Sequence, residues 1–128
     1  MLKLNIIHIK TNYSVAKLTQ VIELSAKTQH FVSLTSTPDE ISLVAPTSYV
    51  EQYSDYVTDE EQNWQVLKID QTLDFNLVGI LAKISTALAE KKISIFALST
   101  FNTDYILVKI KDIEQSIQTL RDLGCRVV

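Results

Sequence analysis

Glycine and proline are scarce in this chain, with two of each in 128 residues. Neither GxGxxG nor a GxxxxGK phosphate loop can be found, so glycine-rich nucleotide cradles are excluded. Cysteine occurs once, at Cys125, and an internal disulfide is ruled out. The two histidines, His8 and His30, stand far apart without cysteine or acid at metal-ligand spacing, and no metal site is expected. Basic charge is short as well. The net charge is −3, whereas a nucleic-acid binder needs a cationic face to displace counterions from phosphate. Nowhere do ~18 apolar residues run together, the length a membrane span demands. Met1-Leu2-Lys3-Leu4-Asn5 leads into a strand-like stretch and not into a signal peptide. The expectation is a cytoplasmic protein with neither nucleic acid nor membrane as partner, and no cofactor is implied.

What is present is the balance of a soluble globular domain: 46% hydrophobic and 21% charged residues. A chain of this length hides roughly two thirds of its surface on folding and needs no staples. The second half is the more regular. Trp64 to Ile69 is rich in β-formers and partly alternates, which predicts a strand. Leu77, Ile80, Leu81, Ile84 and Leu88 recur at spacings of three and four, the stripe of a helix from about 77 to 91. Ser94–Thr100 and Asp104–Ile110 are two further strands, with Phe101-Asn102-Thr103 short enough for a hairpin bend. Asp112 opens a second helix as N-cap, with Gln115 placed for a box-like start. Gly124 ends it as a residue able to take positive φ, and Arg126-Val127-Val128 is a last short strand. The order β-α-β-β-α-β is the ferredoxin-like split unit, an α+β fold with two helices on one face of an antiparallel sheet.

The first half reads less regularly. Leu4 to Ile9 suggests one strand and Tyr13 to Leu18 another. Phe31–Ser36 and Glu40–Val44 alternate around Thr37-Pro38-Asp39, a turn signal. Residues 20–28 suggest a short helix, and 47–56 a short helix or a loop. Asp59-Glu60-Glu61 reads as a solvated loop.

The stretch from Leu73 to Ala82, followed by Ile93 to Val108, resembles the ACT domains. The resemblance is to small bacterial tandem ACT proteins related to the CASTOR arginine sensors and, more distantly, to the regulatory tail of aspartate kinases. Asp39 to Val44 and Trp64 also match that pattern. The resemblance implies a degenerate ACT-like half over residues 1–62, an ACT domain over 63–128, and a non-enzymatic amino-acid sensor. In such proteins the ligand sits at an ACT–ACT interface. Its backbone is held by the loop entering the first helix, here Asn76, Leu77, Val78 and Gly79. Its side chain is read by the following hairpin, here Thr100, Phe101, Asn102, Thr103 and Asp104. Valine stands at position 78 where the kinase-like version has proline beside the loop glycine, and asparagine stands at 76 where closer relatives often carry serine.

Without the family, the loop still makes sense as an anion site. A helix start leaves backbone N–H groups unpaired, and the dipole adds partial positive charge there. A carboxylate would find donors already aimed at it. The plain alternative is that Asn76 caps the helix and Gly79 lets it sit tightly on the sheet. Asp104 is an acid flanked by apolar strand residues, suited to a ligand's amino group or cationic side chain, or else an ordinary acid beside a turn. Cys125 reads as a small buried hydrophobe, and His8 as a strand residue with its ring at the surface. A homodimer is expected, because unpaired sheet edges invite a second copy. A ligand-free interaction module on the same fold is the alternative function.

Overall fold

The computed structural model describes residues 2–24, 28–70 and 78–128. These form seven strands and three helices: β1 Asn5–Leu18, β2 Ser33–Ser36, β3 Ile41–Pro46, α1 Thr47–Glu51, β4 Val57–Ile69, α2 Ile80–Glu90, β5 Ile95–Ser99, β6 Asp104–Lys109, α3 Ile113–Asp122 and β7 Arg126–Val127. They divide into two compact units, residues 1–10 with 65–128, and residues 11–64.

In the first unit the neighbours run β5–β6–β4–β1, with β7 also on β1. Strands β5 and β6 form an antiparallel hairpin with Ile95 opposite Val108 and Ser99 opposite Asp104. A self-contained unit of residues 64–128 would close its last strand onto β4. Here residues of β1 stand between them. The Asp70 N–H donates to the Asn5 carbonyl, while the Arg126 N–H donates to the Leu4 carbonyl and the Val128 N–H to that of Ile6. Strand β7 therefore runs parallel to β1, with Asn5 opposite Arg126 and Ile6 opposite Val127.

Both longer helices cover one face of this sheet, as the α+β reading requires. Ile84 and Leu88 of α2 and Ile113 and Leu120 of α3 share a core with Leu4, Ile6, Leu67, Ile69, Ile106 and Val108. Each helix ends on a left-handed residue. After α3 it is Gly124, with φ 112°, and the Cys125 N–H reaches back to the Leu120 carbonyl at 3.0 Å. After α2 it is Lys92, with φ 60°, and the Ile93 N–H reaches the Leu88 carbonyl at 3.1 Å. Both are Schellman-type ends that satisfy the final carbonyls. At the start of α3, Asp112 occupies the N-cap but its side chain makes no capping bond, since a 3-10 turn over Ile110–Asp112 leads in instead.

In the second unit the order is β2–β3–β1–β4. Strand β3 is antiparallel to both neighbours, with Leu43 opposite Ala16 and Leu34. Ala16, Leu18, Ile22, Leu43, Ala45 and Val50 form its core. Two strands were to be expected over residues 4–18. The structure shows one of 14 residues, because Lys10-Thr11-Asn12 breaks the apolar pattern without breaking the backbone. Residues 20–24 and 28 carry no helix, and the region 47–56 splits into α1 and a 3-10 turn over Ser54–Tyr56. The β2–β3 turn forms as its sequence suggests: the Thr37 hydroxyl oxygen accepts from the N–H groups of Asp39 and Glu40 at 3.1 and 3.0 Å.

Candidate functional site

The sequence places the candidate site in the loop that opens α2 and in the β5–β6 bend. Of the loop, Asn76 and Leu77 lie outside the described residues. Val78 is 91% exposed. Gly79 is the N-cap of α2, with φ +85°, and its carbonyl accepts the Lys83 N–H at 2.9 Å. The helix thus begins three residues later than its apolar stripe suggests. A Cβ on Gly79 would meet nothing within 4 Å. Tight seating on the sheet is therefore not what position 79 needs. Left-handed backbone is, and side chains other than glycine's disfavour it.

The bend is built by its two threonines. The Thr100 N–H and hydroxyl both donate to the Thr103 carbonyl, at 2.8 and 3.1 Å. The Thr103 hydroxyl is buried and donates to the Ile69 carbonyl at 2.9 Å. Both hydroxyls, candidate ligand contacts from sequence, thus hold the hairpin itself in this structure. Phe101 is 82% exposed at the tip, beside the exposed Asn102. Asp104 is half-buried at the foot, opposite Ser99. The structure joins the bend to the last residue of β4, the strand from which the chain runs on to Gly79 and α2.

Side chains outside the candidate site fall out as follows. Cys125 is buried in the core shared by α2 and α3, and burial pushes its thiol above the ordinary range, partly offset by a backbone contact at Leu4. A thiol so placed is a poor nucleophile. His8 is half-buried, not fully at the surface, and its Nε2 lies 2.8 Å from Gln65 Oε1. Trp64 is buried. Among the described residues no group of His, Cys, Asp or Glu is arranged to hold a metal ion, and no helix is long and apolar enough to cross a membrane.

Two recesses were invisible to sequence reasoning because their walls come from residues without a shared motif. In the second unit a cleft of about 360 Å³ is bordered by Thr28, His30, Val32, Ser48, Tyr49 and Gln52. Burial first, then the hydrogen bond and charge of Tyr53, hold the Tyr49 hydroxyl above its usual value, so it stays protonated at neutral pH. In the first unit a groove of about 400 Å³ runs along the outer side of α2, from Gly79 to Glu90, with Leu123 on its bank.

A family model described as the ACT domain matches residues 59–122, half of the chain. The chain belongs to the ACT-domain family. This ACT chain is 30% identical over 97 residues to the human cytosolic arginine sensor for mTORC1 subunit 1, in an alignment taking in 70% of this chain and 30% of that one. It therefore spans less than a third of that relative's length. Among solved structures, an Agobacterium tumefaciens protein is similar over 100% of this chain and 94% of its own, with 27% identity and a TM-score of 0.85. The regulatory subunit of aspartate kinase from Thermus thermophilus matches over 91% and 95%, with 8% identity and a TM-score of 0.62. At that identity the likeness shows the fold. The ACT chain is thus related to a protein named as an amino-acid sensor and shares its fold with a kinase's regulatory subunit.

Proposed function

We propose that this chain is a cytoplasmic regulatory protein, not an enzyme, that binds a small molecule of the amino-acid class. The ligand is held at an interface between ACT units, with the loop Asn76 to Gly79 on its backbone and the bend Thr100 to Asp104 on its side chain. One observation carries the reading: the buried Thr103 hydroxyl fixes the bend to the end of β4, from which the loop departs. Within α2 the first-turn N–H groups of Ile80, Leu81 and Ala82 have no carbonyl four residues back in the helix. They offer a ligand carboxylate its donors, reinforced by the helix dipole. Asp104 supplies the counter-charge for an amine or guanidinium, which makes arginine and lysine the first ligands to try. Binding would favour one state of the protein over others and so change what a partner protein meets. No cofactor is needed for this.

A thermal-shift screen of the twenty amino acids at millimolar concentration tests it. A ligand at 100 times its dissociation constant adds ~2.7 kcal/mol of stability, a shift of several degrees. Asp104→Asn is expected to abolish the shift given by a basic amino acid while leaving the ligand-free melting point within about 1 °C. No shift with any amino acid would overturn the reading. The exposed Val78 and Phe101 favour a second reading, a ligand-free module that docks a protein through these apolar side chains.

A further inference from the structure

We propose that the cleft of the second unit is a separate binding site for an uncharged nitrogen heterocycle of nucleobase size. Its volume of about 360 Å³ lies at the lower end of the range for small-molecule sites, which suits one ring or two fused rings. Gln29, His30, Ser48, Tyr49 and Gln52 supply polar groups, and Val32 and Pro46 supply apolar surface. All of these residues belong to one unit. Both sides of the cleft are braced from neighbouring residues of β1. The Tyr13 hydroxyl donates to the Phe31 carbonyl at 2.7 Å, and the two rings stack with centroids 5.9 Å apart. This holds the backbone that carries His30 and Val32. Next along β1, the Ser14 and Thr47 hydroxyls lie 2.9 Å apart and tie down the start of α1, which carries Ser48 and Tyr49 and ends at Gln52. Tyr13 and Ser14 are fully buried. The cleft is therefore shaped before a ligand arrives, and little ordering has to accompany binding.

The chemistry of the lining selects the class of ligand. Among the described residues no Lys, Arg, Asp or Glu borders the cleft. A zwitterionic amino acid would leave water there with neither charge met, which is costly. An uncharged heterocycle carries no such penalty. Each glutamine amide presents an acceptor oxygen and two N–H donors in one plane. That is the complement of the adjacent donor and acceptor on a base edge, the pairing glutamine makes with adenine. Tyr49 adds a flat ring on which a base can stack, itself supported by the Tyr53 ring at 5.4 Å. Its hydroxyl stays protonated at neutral pH, so the ring brings no charge into the cleft. His30 adds ring nitrogens that can donate or accept. The cleft belongs to a different unit from α2 and the bend, so this site does not rest on the amino-acid reading.

Amide NMR spectra of the isotope-labelled full chain, titrated with adenine and with uracil, decide the matter. Inorganic phosphate and arginine serve as charged comparators. Amides of residues 28–32 and 47–52 are expected to shift with at least one of the two bases, at a dissociation constant of about 1 mM or tighter, and to stay in place with phosphate. Gln29→Ala and Gln52→Ala, both at exposed positions, are each expected to weaken that binding about tenfold. Ser48→Trp, also exposed, is expected to abolish it by filling the cleft. Unchanged spectral dispersion in each variant shows that the fold is intact. Absence of shifts with both bases, shifts confined to residues outside the cleft, or binding indifferent to these variants would each overturn the proposal. So would arginine moving the cleft amides as strongly as the bases do. Arginine is read in the same spectra at Gly79 and at Thr100 to Asp104, so each of the two sites fails on its own set of amides.

Discussion

Two residues with positive φ bracket α2, and they differ in how well their chemistry suits them. Gly79 takes φ +85° in open space. Gly79→Ala is therefore expected to cost about 1–2 kcal/mol through backbone strain alone, read as a lower urea midpoint with unchanged slope. Lys92 takes φ 60° with a side chain that resists it. Lys92→Gly is expected to gain up to about 1 kcal/mol in the same titration. This contrast explains what sequence could disclose. The end of α3 is marked by Gly124; the end of α2, expected near 91 from the apolar stripe, falls at Glu90, with Lys92 in the left-handed position that glycine more often fills. The start of α2 misled for a related reason: Leu77 continues the apolar stripe, but the left-handed Gly79 sets the first helical residue at Ile80.

Strands and helices were legible where apolar spacing is uninterrupted. The order β-α-β-β-α-β from β4 onward follows from stripes at periods of two and three to four, and the chain folds that way. Strand lengths were less legible. The polar tract from Thr58 to Asn63 hid the first half of β4, because exposed strand residues carry no burial pattern. Nor does any local signal tell β7 to pair with β1 at the other end of the chain. Within the candidate site, types and places of the bend residues were readable, but the roles of its threonines were not. Which carbonyl a hydroxyl meets is a matter of tertiary contact, and Thr103 meets Ile69. Thr103→Val keeps the shape and removes that donor to the Ile69 carbonyl, at an expected cost of about 1–3 kcal/mol. Hydrogen exchange at Thr100 and Asp104 is expected to accelerate if the bend loosens as this geometry requires, and unchanged protection there would refute the anchoring role.

At the scale of the molecule, the first unit is discontinuous in sequence. Leu4 and Ile6, buried to 5% and 1% exposure, belong to the same core as α2 and α3. A fragment of residues 63–128, which looks complete by its element order, lacks both and lacks the strand on which β7 pairs. Losing one such side chain costs about 2–5 kcal/mol, and losing two approaches the whole stability of a small domain. The fragment is expected to show poorly dispersed amide resonances, and restoring residues 1–10 as a separate peptide to sharpen them. A cooperative thermal melt of the fragment alone would count against this. The pairing of Asn5 and Ile6 with Arg126 and Val127 also sets a timetable for synthesis. A ribosome adds about 5–20 residues per second, and this sheet cannot close until Val127 has emerged from the exit tunnel. For those seconds the nascent chain displays the edge of β1 around Leu4 and Ile6, a window in which a chaperone or another nascent copy can reach it first.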